Sequence, residues 1–384
     1  MFRLPRIFFA TLFVFAAVMA VAAQPTKGFT PVDGANLKAK IDSATVQGKA
    51  NAPTGLFWVG YQFEVRPNVA VDFEIVTPDG TVNWSNDGWS IMNDPQYETR
   101  ELGLFLLFEK TLDRFTRAEV YNLKRNHQFS SYPVYWAGKA TNEESLNYLK
   151  SIIDSAVPEV NRLSDRAAYA IALHDDARVE AILTELIKRP AAEAIRNRAI
   201  YWLGYTPESP TKNALLAELV RSTHETSDAR QQAMSSLSMS RAAANLPVLE
   251  NLYETMTSKE LKRRALGGMA RNDNHDAAAA YLIQVIQNQT DVDLQKTALS
   301  GLGRIGGDRS LGALTNTLDS SPQLELQKQA VISIGRRPKD EAIPILIRTA
   351  RNHPRVEVRK LAVQMLGQTR DERAAAFLNE LLTK

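Results

Sequence analysis

The chain has 384 residues, 44% hydrophobic and 23% charged, with 46 Lys and Arg against 43 Asp and Glu for a formal net charge of +3. Absence of cysteine excludes disulfides, thiolate zinc sites, cysteine nucleophiles and thioether-linked pigments. So even a charge balance calls for neither nucleic acid nor an anionic membrane as partner.

Met1 to Arg6 is a short basic stretch, and Ile7 to Ala23 is a 17-residue apolar run that ends in Val21, Ala22 and Ala23 before Gln24. This is the layout of a signal peptide over residues 1–23, with a small-residue cleavage site. A retained anchor is the alternative, but the run sits at the short limit for crossing a bilayer. Export to the bacterial periplasm or medium is therefore expected, without stable membrane insertion after cleavage. A lipoprotein anchor would need a cysteine at the cleavage site.

Residues 24–54 are poor in large apolar side chains and read as a linker or flexible arm. At Gly55 the pattern changes. Phe57, Val59, Tyr61, Phe63 and Val65 alternate, then Val69, Val71, Phe73 and Ile75 do so again, with Arg66, Pro67 and Asn68 between. Period two with aromatic and β-branched residues predicts strands, and the short gap predicts a hairpin. Leu102–Phe108, Phe115–Leu123 and Pro133–Trp136 are further strand candidates. Residues 55–138 are thus expected to form a small antiparallel β domain, built as a sandwich. Trp84 and Trp89 flank the turn signal at Asn86, Asp87 and Gly88. Tryptophans there can stack on sugar rings, which makes a polysaccharide an alternative ligand; packing into their own domain is the plainer fate.

From residue 141 the period becomes helical. A small residue is followed four positions later by a large aliphatic one in six copies: Ala199 and Leu203, Ala233 and Leu237, Ala265 and Met269, Ala298 and Leu302, Ala330 and Ile334, Ala362 and Leu366. Successive alanines are 34, 32, 33, 32 and 32 residues apart. Such a period means one helix pair stacked on copies of itself, and residues 141–384 are expected to form an α-solenoid of about seven pairs. Residues 141–156 supply the helix before an atypical first copy, in which Tyr169 replaces the alanine. Gly204, Gly303, Gly335 and Gly367 follow the aliphatic position and fit a left-handed helix end. Asp308, Asp340 and Asp371 fit the N-cap of each second helix.

The segments DLQKTALSGLGRIGGDRSLGAL (293–314) and VEVRKLAVQMLGQTRDERAAAFL (356–378) resemble the HEAT repeat, in particular the short form known from phycobilisome lyases. The resemblance implies the solenoid fold. It implies little about activity, because that family serves scaffolds, adaptors and a few enzymes.

Motifs that carry chemistry are sparse. Gly301, Gly303 and Gly306 satisfy G-x-G-x-x-G, but they end a helix where dinucleotide binding needs a strand running into a helix start. His224 with Glu225 resembles one of the His-Glu pairs by which deoxyhypusine hydroxylases hold two irons. That family uses several pairs and this chain has one, so no metal, cofactor or catalytic residue is assigned. The other histidines read as solvated loop residues, and a cationic His174 would suit a helix C-terminus.

The remaining candidates are the repeat's cations. Arg196, Arg230, Lys262, Lys296, Lys328 and Arg359 recur with the period and would line one surface, ready for an acidic partner. The competing account pairs them with Asp228, Glu260, Asp293, Glu325 and Glu357 beside them. The expected function is a non-enzymatic, exported scaffold or adaptor that grips a protein on the solenoid; the alternatives are a carbohydrate-binding β domain on a helical-repeat spacer, or an enzyme that no motif reveals.

Overall fold

The structure, a computed structural model, describes residues 28–72, 74–77, 80–83, 98–112, 114–154, 161–189 and 193–383. The expected leader lies outside them. The chain divides into two compact units. One holds the described residues up to Glu64 together with Glu101–Ser145, and the other holds Val65–Arg100 and Leu146 onward. In chain order the first elements are β1 (Thr30–Pro31), α1 (Leu37–Asn51), β2 (Leu56–Glu64), β3 (Glu74–Thr77), β4 (Gly80–Asn83), β5 (Glu101–Glu109), β6 (Phe115–Asn122), β7 (Val134–Lys139) and α2 (Asn142–Asp154).

The first unit is built on one five-stranded sheet in the order β1-β7-β2-β5-β6. β2 runs antiparallel to β5, with Phe57 opposite Phe108 and Phe63 opposite Leu102, while β7 runs parallel to both β1 and β2. The sheet is therefore mixed and single-layered, which corrects the antiparallel sandwich. Alternation tells which face a side chain takes and is the same whichever way the neighbouring strand runs.

Helix α1 supplies the second layer, packed on β2 and β7. The linker expected over 24–54 is thus replaced by a helix across Leu37–Asn51. The Asn36 side chain accepts the Ala39 N–H at 2.9 Å, and Leu37, Ile41, Ala44 and Gly48 are buried along one stripe. Half of that stripe is Ala and Gly, so it gives no strong periodic signal in the sequence. The small residues matter, because a Cβ on Gly48 would stand 2.3 Å from the Phe57 ring. On the other face of β2, Trp58, Phe105, Val134 and Trp136 are buried with Phe29, Tyr121 and Phe129 against them. Gly60 and Gly103 make room for the Phe105 ring, since a Cβ would stand 2.5 Å from it at the first and 2.8 Å at the second.

The expected hairpin after β2 does not form. Asn68 takes a φ of 60°, Thr99 donates its N–H to the Val69 carbonyl at 2.7 Å, and β3 pairs with β4 instead. Val69, Ala70 and Val71 are fully buried, so their apolar pattern reports burial and not a second strand.

The second unit contains seven helix pairs among the described residues: α3 (Asn161–Leu173) with α4 (Arg178–Lys188), α5 (Glu193–Leu203) with α6 (Pro210–Arg221), α7 (Ser227–Leu237) with α8 (Leu246–Thr255), α9 (Lys259–Met269) with α10 (His275–Asn288), α11 (Val292–Leu302) with α12 (Asp308–Ser320), α13 (Leu324–Ile334) with α14 (Lys339–Asn352), and α15 (Val356–Gln368) with α16 (Glu372–Leu382). The first helices of successive pairs stack on one another, and each second helix packs against the first helix of the next pair. All six repeat alanines have 0% exposure, and their aliphatic partners are buried with them. Burying one such Leu or Ile is worth about 1.5–3 kcal/mol, and the alanine lets the next helix come close enough to supply the contact.

The glycines that follow do not take the left-handed conformation; Gly303 has φ −63° and Gly335 has φ −62°. Their role is close approach. A Cβ on Gly204 would stand 2.8 Å from Ser236, and one on Gly303 would stand 2.9 Å from the Ser333 carbonyl of the next first helix. Gly367, in α15, has nothing within 4 Å, and no further first helix follows α15 among the described residues. Of the expected N-caps, Asp371 accepts the Arg373 N–H, whereas Asp308 and Asp340 lie inside the first turn behind Gly307 and Pro338. There their charge meets the helix dipole without closing the cap.

Candidate functional site

Two rows of cations run along the stacked first helices, and only one of them faces solvent freely. In four of the six repeats the side chain three residues before the alanine turns inward to close the preceding second helix. Arg196 Nε donates to the Ile187 carbonyl at 2.7 Å, Arg230 Nε to Val220 at 2.9 Å, and Arg359 Nη1 to His353 at 2.7 Å. Gln295 Nε2 makes the same bond to Ile286 at 2.9 Å. A helix C-terminus leaves its last carbonyls unpaired and partly negative, so a long donor there is well placed. Arg196 is held further by a two-pronged pair with Glu225, and Lys262 lies 4.8 Å from the centre of the Tyr253 ring. Four of the six predicted partner-binding residues are thus engaged within the stack.

The other two, Lys296 and Lys328, belong to a different row, one residue further along each helix, with Arg263 and Lys360. Their ties are loose: Lys296 lies 3.9 Å from Asp293 and Lys328 lies 3.2 Å from Glu325, all partly exposed. A third set escaped sequence reasoning. Arg271, Arg304 and Arg336 stand six residues after the alanine, 33 and 32 residues apart. The period that relates the alanines relates these arginines too.

Four of these side chains, Arg263, Lys296, Arg304 and Arg336, line a groove of about 680 Å³ along α9, α11 and the end of α13, together with Lys259, with Glu260 and Asp293, and with Thr297, Ser300 and Gln329. Five cations face two carboxylates. Asp293 is taken by Lys259 at 2.5 Å, and Glu260 by Arg263 at 3.2 Å and Arg264 at 3.0 Å. Arg336 donates to Ser300 Oγ at 3.1 Å, a neutral partner, and no ion pair involving Arg304 or Arg336 forms among the described residues. Next to the groove, burial and then the charge of Arg304 hold the Arg271 guanidinium below its usual pKa. On the second helices the pattern differs. Arg348 pairs with Asp319 at 3.0 Å and Arg351 with Glu380 at 2.6 Å. A shallower hollow there, beside Asp308, Asn316 and Asp319, has no basic lining residue.

The remaining candidates separate clearly. Trp84 and Trp89 lie outside the described residues. Trp58 is buried and donates its indole N–H to the Phe129 carbonyl at 3.1 Å. The glycines at 301 and 303 close α11 against its neighbours. His224 is exposed and its neighbour Glu225 is taken by Arg196. His174 and His353 sit just past helix ends but are buried, which corrects their reading as solvated. Burial pushes His174 down to a pKa of about 4, so it caps α3 as the neutral imidazole, with Nδ1 2.7 Å from the Ala170 carbonyl. Among the described residues no cluster of three or more His, Asp or Glu is arranged to hold a metal, and no helix is long and apolar enough to cross a membrane.

Residues 313–384 match the family model for HEAT repeats. No curated protein matches the chain. Among solved structures, human deoxyhypusine hydroxylase is 15% identical with a TM-score of 0.30, covering 62% of this chain and 90% of that one. The CpcE and CpcF complex of phycocyanin lyase from Nostoc sp. is 16% identical with a TM-score of 0.32, over 62% and 92%. Lipovitellin is 14% identical with a TM-score of 0.43, over 82% and 40%. Residues 313–384 thus carry HEAT repeats, and the same buried alanine and aliphatic pairs recur through the preceding helix pairs back to Ala199, in a chain that also holds a mixed β-sheet unit.

Proposed function

We propose that this protein is a non-enzymatic, exported scaffold whose solenoid holds a protein partner along the solvent face of its first helices. One observation carries the proposal: the groove along α9, α11 and α13 is assembled from equivalent positions of successive repeats. A surface of that kind grows with the number of repeats and suits an elongated ligand better than a small substrate. Export rests on the basic start and apolar run of residues 1–23.

A photo-cross-linking amino acid at Thr297, inside the groove, is expected to capture a discrete protein in cells of the source bacterium. The same probe at exposed Asn316 on α12 is expected to capture none. Equal capture at both positions, or capture at neither, contradicts the assignment of the face. Recovery of the protein in the cytoplasmic fraction with residues 1–23 intact contradicts export.

A further inference from the structure

We propose that the groove over α9, α11 and α13 takes an acidic peptide segment in extended, polyproline-like conformation, with a carboxylate at every third residue. This rests on the first-helix face being the partner-binding face, and it names the chemistry of the partner.

The charge argument comes first. Lys259 and Arg263 are matched by Asp293 and Glu260, which leaves Arg304 and Arg336 with no carboxylate among the described residues and Lys296 with one at 3.9 Å. A guanidinium binds a carboxylate through two parallel N–H bonds, a geometry that Arg304 and Arg336 use with none of the described residues. Exposed ion pairs contribute little, so an incoming carboxylate can also displace the Lys296 contact.

Spacing then selects the form of the ligand. Packed helices lie about 8–10 Å apart, so equivalent cations on neighbouring first helices repeat at that interval. A polyproline-like chain turns once every three residues and advances about 9 Å per turn, placing every third side chain on one face. An acid at every third position therefore meets one repeat after another, and about seven residues cover three helices. A helical ligand advances about 5.4 Å per turn and falls out of step.

The test uses two fluorescein-labelled peptides of identical composition and charge, five repeats of Glu-Pro-Pro and its isomer with all five glutamates at one end. Anisotropy titration of the full chain at low salt is expected to show the periodic peptide binding about fivefold more tightly. Arg304→Gln with Arg336→Gln is expected to weaken it about tenfold, Arg304→Lys with Arg336→Lys to restore part of the loss, and Arg348→Gln with Arg351→Gln to change nothing. Equal affinity for the two isomers, an unaffected double Gln variant, or preferential displacement of the peptide by a DNA duplex of matched charge would overturn the proposal. If the peptides fail while the Thr297 cross-link persists, the face stands and the acidic occupant falls.

Discussion

The sheet unit and the helical stack bury their side chains by opposite means. Around β2 the core is made of large rings gathered from distant parts of the chain, with the Phe105 ring 4.7 Å from Phe129 and 5.8 Å from Phe29. In the stack the core is built around one small residue and one aliphatic residue, repeated with the period of the helix pair and touching mainly the pairs before and after. A core of the first kind fails as a whole when a ring is lost; one of the second kind fails locally, because stability there is a sum over neighbouring units.

The strongest way to break this contrast is to delete the central ring. Phe105→Ala is expected to cost about 3–5 kcal/mol and to abolish the sheet unit's tertiary signal, followed through Trp58 fluorescence in urea. Leu302→Ala in the stack is expected to cost about 2–5 kcal/mol while broadening the far-UV transition, since outlying pairs retain their own neighbours. A sharp, complete loss of helix in Leu302→Ala, matching the loss of the sheet in Phe105→Ala, would erase the distinction.

Acid sharpens it next. His174 titrates near 4 in the folded stack against about 6.5 unfolded, because burial penalises its charge. Between those pH values the unfolded chain binds a proton that the folded chain refuses, so stability falls as pH drops from about 6.5 towards 4. The full penalty is roughly 3 kcal/mol at the bottom of that window. His174→Gln is expected to flatten this part of the stability profile in urea titrations between pH 4 and 7; an unchanged slope would remove His174 as its source.

The stack was legible because its signal is repetition: the six alanines that share a period also share full burial. The sheet was legible only as strands. Its direction of pairing depends on partners such as β7 that no local pattern names, and α1 hides behind Ala44 and Gly48. The candidate site was half legible. Arg230 and Lys296 differ by one step in the repeat, and both look like surface cations in sequence. Only the fold reveals that a side chain three residues before the alanine reaches the carbonyls of the preceding helix, whereas one residue later it points to solvent. Arg304 and Arg336 share the period, but nothing local sets them apart from other surface arginines, and the glycines before them serve close packing.

The division between the two rows is open to a paired measurement of thermal midpoint and Glu-Pro-Pro peptide affinity in Arg230→Ala and Arg304→Gln. Arg230→Ala is expected to lose about 1–2 kcal/mol, a fall of several degrees in Tm, with the affinity kept, and Arg230→Gln to recover much of it by the bond that Gln295 already makes. Arg304→Gln is expected to keep its Tm and lose affinity. The opposite pattern, with Arg230→Ala weakening binding at unchanged Tm, would contradict the separation of a holding row from a binding row.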